Sequence, residues 1–353
     1  MRILKLITIN VLLLFIFLLV ADFSTAFIRR KNNLERVSAR QINAFFHHGF
    51  IPNAVFKHNW ESEITLREKV NKFGFRANIS EKSVDKITDY KTVFIGDSFA
   101  EGVGVEYKST IPSLLPFDLW PIANLGVISH SPYLSRNRLD FFKEKGLNPE
   151  VIIHLVDPSD IQDELHYYYV EGFRPPKNRI ARKLVALINN SYISSTFTWE
   201  AFLTISWLLN SESILRSIDL YKYWNGSENY YETRNPFKTD EEPFFYRKGK
   251  NRLLNELELS ISNNKKSDYV VVIYQWPKFI SPLEKSNQFF RLQEYKNDIK
   301  KITNRFDNAY LCDADNANLI DSDFIAGDVH WNKRGHLKIA NFISNECIRH
   351  IIK

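Results

Sequence analysis

Two clusters of residues in this chain could do chemistry together. Phe94-Ile95-Gly96-Asp97-Ser98-Phe99 places a serine straight after a short apolar run, in a turn that contains glycine. Near the C-terminus, Gly327-Asp328-Val329-His330-Trp331-Asn332 places a carboxylate and an imidazole two residues apart. A serine hydroxyl attacks a carbonyl only when a base takes its proton, and that base needs a group to orient it. Asp328 holding one nitrogen of His330 while the other faces Ser98 would meet both needs. His336, on the same stretch, is a second candidate for the base. The chemistry would be acyl transfer from an ester, either to water or to another hydroxyl. Separately the fragments are bland: Asp97 could merely cap a turn, and Asp328 could merely brace a loop. The spacing is also not that of the G-x-S-x-G elbow, because Gly102 lies four residues after Ser98 rather than two.

Such residues meet only if the intervening elements bring them together. Five apolar runs read as buried strands: Thr92–Ile95, Ile122–Leu125, Val151–Val156, Tyr269–Tyr274 and Ala309–Cys312. Helical patterns lie between or after them, over Pro132–Lys145, Arg252–Ser262, Gln288–Arg305 and Lys333–Ile351. Strands alternating with helices predict a parallel sheet covered on both faces, with ligands at the carboxyl ends of the strands. The serine follows the first core strand, and the Asp/His loop precedes the last helix. Residues 170–250 interrupt the alternation and read as a helical insert, either packed on the core or serving as a lid. Its Tyr221–Tyr231 stretch, with four tyrosines and Trp224, is either packing or a sugar-stacking surface.

These residues resemble the SGNH (GDSL-type) hydrolase superfamily over roughly residues 90–350. Gly96-Asp97-Ser98 is similar to its first block, which carries the nucleophile. Asn124-Leu125-Gly126 is similar to the second, whose glycine gives a backbone N–H to the oxyanion hole. Asp328 and His330 are similar to the last block, which supplies acid and base. The resemblance implies an α/β fold, a flavodoxin-like three-layer α/β/α sandwich with a parallel sheet. It implies a serine-dependent esterase or O-acyltransferase, with Ser98, Asp328 and His330 catalytic and no cofactor. The oxyanion would be held by the N–H groups of Ser98 and Gly126. Asn71–Arg76, Gln275-Trp276-Pro277 and the His-Trp-Asn loop resemble membrane-anchored bacterial members that modify cell-surface polysaccharides. An acyl ester, chiefly acetyl, on a polysaccharide or glycoconjugate is then the expected substrate.

Two departures stand out. The third block of the family reads G-x-N-D, whereas this chain has Asp157-Pro158-Ser159-Asp160, so Ser159 stands where an oxyanion-donating Asn is usual. Losing one such donor typically costs about 2.7–4 kcal/mol of transition-state stabilisation. Ser159 is therefore a candidate third donor, and the alternative is a non-catalytic glycan-binding or assembly protein on a degenerate SGNH fold. The last block is D-x-H rather than D-x-x-H, a spacing that resembles alginate acetyltransferase-like members.

The chain of 353 residues carries 47 Lys+Arg against 41 Asp+Glu, a net charge of +6. Residues 1–31 hold five basic groups against Asp22 alone, a net of +4, which leaves +2 for the rest. That near-neutral body has no nucleic-acid footprint. The basic residues flank Leu6–Ala21, which has no charge, and the apolar stretch reaches Ile28 with only Asp22 in it. Its length suits one transmembrane helix. It reads as an uncleaved signal anchor over 1–31 or as a signal peptide with Ser24 and Ala26 at the cleavage positions. Residues 32–90 read as a membrane-proximal connector packing on the main domain, 91–353. The flank charges Arg29, Arg30, Lys31, Arg36 and Arg40 favour a cytoplasmic body by the positive-inside rule. The substrate class favours an extracytoplasmic one, periplasmic or at the cell surface. His47-His48 reads as an exposed pair, His154 as a core histidine, and Cys312 and Cys347 as buried free thiols. No residue pattern resembles a metal site.

Overall fold

A computed structural model describes residues 40–59, 65–77, 84–170, 172–175, 244–275, 287–349 and 351, with residues 6, 8–14, 16, 17 and 20 of the N-terminal segment. Among the described residues no helix is long and apolar enough to cross a membrane. Most of the expected 1–31 segment and most of the 170–250 insert, including Tyr221–Tyr231, lie outside them.

The connector forms two small antiparallel units. A hairpin pairs β1 (Arg40–Asn43) with β2 (His47–Phe50), and a three-stranded sheet joins β3 (Val55–Asn59), β4 (Thr65–Val70) and β5 (Arg76–Ala77). β4 does not look like a strand in sequence because an acidic residue, Glu68, faces inward between Leu66 and Val70. It meets Arg76, whose Nε donates to Glu68 Oε2 at 3.0 Å, with both side chains 1% exposed. A buried charge is tolerable only with such a partner. Arg76 also donates to the carbonyl of Glu101 at 2.8 Å, which ties this sheet to the segment after Ser98.

The main sheet is parallel throughout: β6 (Thr92–Ile95), β7 (Ile122–Asn124), β8 (Val151–Val156), β9 (Asp268–Ile273) and β10 (Ala309–Asp313). The order across it is β10-β9-β8-β6-β7. The chain thus starts in β6, steps one way to β7 and then crosses back to β8. That reversal opens a crevice at the carboxyl ends of β6 and β8, where open α/β sheets bind ligands.

The helices are α1 (Ser98–Glu101), α2 (Ile111–Leu114), α3 (Pro132–Lys143), α4 (Asp160–Glu164), α5 (Phe244–Ser262), α6 (Asn287–Thr303) and α7 (Lys333–Phe342). Successive strand residues point to opposite faces. Val93, Ile95, Ile152 and Val271 pack with Leu139 of α3, Leu253 and Leu257 of α5 and Ile299 of α6. Phe94, Ile153, Val270 and Val272 pack with Ile111 of α2 and Ile339 of α7. The result is three layers, with the sheet buried on both sides. Phe45, Phe46 and Phe75 of the connector join the first of these cores.

Two expectations need correction. The last helix does not run unbroken to Ile351: α7 ends at Phe342 and continues as a π-helical turn over Ile343–Cys347. Cys312 and Cys347 are not free thiols but a disulfide. β10 and the π-helical turn bring their Cα atoms to 5.3 Å, within the span a disulfide bridges.

Candidate active site

Ser98 is the first residue of α1 and stands directly above the end of β6. The turn that carries it needs Gly96. Gly96 has φ 143°, and a Cβ there would lie 2.7 Å from the Leu155 carbonyl oxygen. Asp97 caps the helix by accepting from Phe99 N–H at 3.0 Å. The next residue, Phe99, is buried at 2% exposure and faces the core. The helix is thereby anchored with the Ser98 hydroxyl at the crevice.

The loop before α7 is equally fixed. Asn332 caps that helix, accepting from Arg334 N–H (2.9 Å) and Gly335 N–H (3.2 Å), while its amide donates to the Ser322 and Phe324 carbonyls. Trp331 is wholly buried and touches Phe99 and Tyr274, with ring centroids 4.8 and 4.6 Å away. Trp331 thus holds His330 over α1. The His330 ring stacks on Phe99 at 4.8 Å. Its Nδ1 lies 2.8 Å from Asp328 Oδ1, and its Nε2 lies 2.8 Å from Ser98 Oγ. Asp328 Oδ1 also accepts from the backbone N–H of Val329 and of His330 (2.5 and 3.2 Å). The carboxylate is therefore oriented before it meets the imidazole. In this geometry Nδ1–H would donate to Asp328 and Nε2 would be free to accept the serine proton.

The structure treats the predicted oxyanion donors unequally. The Ser98 N–H stands at the first position of α1, where a helix offers no intrahelical acceptor. Gly126 packs so closely on α1 that a Cβ would lie 2.4 Å from the Ala100 carbonyl carbon. Its N–H, however, donates to Asn124 Oδ1 at 2.9 Å. Ser159 departs furthest from expectation. Its hydroxyl donates to Asp157 Oδ1 at 2.6 Å, and its N–H donates to the same oxygen at 2.6 Å. A serine has one proton to give, and here Asp157 takes it.

Sequence reading missed Asp157. It stands at the end of β8, wholly buried, facing Asp97 and Asp160, which are also buried. Ser98 Oγ lies 3.2 Å from Asp97 Oδ2. Burial, and then the neighbouring Asp157, push the Asp97 carboxyl well above the usual carboxylate range. Burial pushes Asp157 up to about 6. Asp160 is raised well above its ordinary value by burial, Asp157 and Asp97. His330 is the cation-forming group that opposes this at Asp97. Three facing acids in a dry site hold their protons more tightly than isolated carboxyls do, because like charges there cannot all ionise together. The signal in sequence was the Asp157-Pro158-Ser159-Asp160 stretch itself, with two acids closing a buried strand.

The remaining histidines are placed elsewhere. His336 is buried against Trp331, 5.5 Å between ring centroids, and burial pushes it down to about 3, so it is no second base. His154 sits in the core with Nδ1 2.8 Å from the Tyr269 hydroxyl. His47 and His48 are not an exposed pair. They are half-buried against Tyr167, and His48 Nε2 lies 2.8 Å from the Ile128 carbonyl oxygen. Among the described residues no cluster of His, Cys, Asp or Glu could hold a metal ion.

Strand order and site together define a flavodoxin-like α/β sandwich with a hydrogen-bonded Ser–His–Asp chain at its switch point. No family model matches the sequence. No curated protein matches it either. Among solved structures the chain is similar to a catalytic mutant of an acetylxylan esterase from Geobacillus stearothermophilus, at 13% identity and a TM-score of 0.39, over 75% of this chain and 94% of that one.

Proposed function

We propose that this protein is a serine-dependent hydrolase or transferase of O-acyl esters. The observation that carries the reading is the unbroken chain Asp328–His330–Ser98, with both links at 2.8 Å. Ser98 Oγ attacks the acyl carbonyl as His330 Nε2 takes its proton, and Asp328 orients and stabilises the imidazolium. The carbonyl oxygen becomes an oxyanion, received by the N–H of Ser98 and, once it turns from Asn124, that of Gly126. Collapse expels the alcohol, which takes the proton back from His330. The acyl-serine then passes to water in an esterase or to a sugar hydroxyl in an O-acyltransferase. The substrate proposed is an acylated, chiefly acetylated, surface polysaccharide or glycoconjugate.

The catalytic body is proposed to lie outside the cytoplasm, behind an N-terminal membrane anchor. The Cys312–Cys347 disulfide supports that side, since disulfides persist in oxidising compartments. The five basic residues after the apolar segment are the opposing consideration. The test of activity is a fluorophosphonate probe together with an aryl acetate. Labelling and turnover that vanish in Ser98→Ala support the reading, and turnover untouched by that change overturns it.

A second reading, a glycan-binding protein on a degenerate scaffold, is favoured by the oxyanion donors. The Ser159 hydroxyl and the Gly126 N–H are both engaged by neighbouring side chains. Absence of any probe labelling on the folded protein would select it.

A further inference from the structure

The Ser98 hydroxyl has one proton and two acceptors within reach. His330 Nε2 lies 2.8 Å from Ser98 Oγ, and Asp97 Oδ2 lies 3.2 Å from it. Attack needs that proton on the line to His330, so Asp97 competes with the base. Helix capping does not account for the contact. Asp97 caps α1 through Oδ1, which accepts from Phe99 N–H at 3.0 Å, and Oδ2 is left for the serine. How strongly Oδ2 competes depends on its charge. A hydrogen bond to an ionised carboxylate is roughly twice as strong as one to a neutral carboxyl.

The surroundings of Asp97 bear on that charge. Asp97 is buried and faces Asp157, which closes β8 and is also buried. Asp157 Oδ1 is engaged by Ser159, which donates to it from both N–H and hydroxyl. Asp157 Oδ2 is buried and accepts from no permanent donor among the described residues. Buried acceptors are nearly always satisfied. The group that faces this one is the Asp97 carboxyl, which donates only when protonated. The two carboxyls are therefore joined through a proton carried by Asp97 and accepted by Asp157. Burial, and then Asp157, favour keeping it there. The other titratable groups around the pair are Asp160 and Asp163 of α4, Tyr274 after β9, and His330. Of these, His330 in its charged form favours loss of the Asp97 proton.

We propose that Asp97 is a positioning residue for Ser98. Carrying the proton it shares with Asp157, it leaves the serine hydroxyl to His330; stripped of that proton, it draws the hydroxyl away from the base. The orientation of the hydroxyl stands on this geometry alone, and only its effect on turnover rests on the function proposed above.

Two measurements on the full chain test it. One is aryl acetate kcat against pH. The other is nitrogen NMR of the His330 imidazole, whose Nε2 resonance reports whether a hydroxyl donates to it. In the wild type, kcat should rise as His330 loses its proton and fall as Asp97 loses its own. The Nε2 resonance should move as Asp97 ionises. Asparagine has the shape of a protonated aspartate, caps a helix as well, and does not ionise. Asp97→Asn should therefore abolish the falling limb and the movement of the resonance. Asp157→Asn removes a facing charge and offers Asp97 a donor, so Asp97 ionises more readily. The falling limb should then lie about one pH unit or more lower.

A wild type without a falling limb, a limb that persists in Asp97→Asn, or an inactive Asp97→Asn protein with unchanged Tm would overturn the proposal. A purely structural Asp97 would alter kcat alike at every pH and leave the limb in place. Should Asp97→Asn not fold, Asp157→Asn decides, and an unmoved limb counts against the positioning role. If the wild type turns over no ester, the resonance decides alone. Movement that Asp97→Asn abolishes keeps the positioning role and removes the esterase, and a resonance that stays put removes both. Turnover with a limb indifferent to both substitutions keeps the esterase and removes the positioning role.

Discussion

His330 Nε2 lies 2.8 Å from Ser98 Oγ, although 232 residues separate them in the chain. The contact depends on two core side chains: Phe99 beside the nucleophile and Trp331 beside the base, whose tilted rings meet at 4.8 Å between centroids. The site is therefore as rigid as the core that carries it. Replacing Ser98 by Ala should remove aryl acetate turnover by about 10³- to 10⁶-fold without moving Tm. Asp328→Asn should keep the fold and lower kcat by about 10⁴-fold, because the wrong imidazole tautomer would then be favoured. Steady-state kinetics beside thermal melts would show both, and a fully active Ser98→Ala protein would contradict the assignment.

Ser159 offers a sharper contrast. Its hydroxyl is spent on Asp157, so Ser159→Ala should lower kcat by far less than the about 10²–10³-fold that loss of an oxyanion donor costs. A loss in that range would mean that the hydroxyl turns to the substrate during the reaction.

The buried acids give stability a pH dependence. Asp157 binds its proton more tightly folded, at about 6, than unfolded, near 3.8. The folded state then holds more protons, and stability falls as pH rises from about 4 through about 6. Asp157→Asn removes that term while keeping an acceptor for Ser159. The mutant should gain on the order of 1–3 kcal/mol relative to wild type between pH 4 and pH 8. Urea melts at both values measure it, and a constant difference across pH would refute it.

The Cys312–Cys347 bridge closes a loop with a sequence separation of 35. Chain-entropy arguments give about 3–4 kcal/mol for such a loop. Cys347→Ser, or reduction of the wild type, should lower Tm accordingly, with reductant having no further effect on the mutant.

Much of the fold was legible because the main strands are buried on both faces and so read as plain apolar runs. Val151–Val156 is one such run, and its bounds match the sequence reading. Ser98, Asp328 and His330 were legible because each lies at a punctuated turn, next to a glycine or a capping residue. The connector strands were hidden by inward-facing charge, since Glu68 and Arg76 satisfy each other where a pattern reader expects apolar residues. The disulfide was hidden because pairing depends on where the chain places β10 and the turn after α7. The Asp97–Asp157–Asp160 cluster was hidden for a similar reason, as three acids from two strand ends meet only in the folded crevice.

Ser98-Phe99 and His330-Trp331 share one design. In each dipeptide the first residue joins the Ser98–His330 hydrogen bond at the crevice and the second plugs the interior. Chemistry and architecture are thus assigned to adjacent letters of the sequence. A lineage could exchange Ser98 or His330 and keep the whole body intact, whereas exchange of Phe99 or Trp331 would dismantle both together. Silent descendants of this scaffold would keep the two aromatic residues after the serine and histidine had gone.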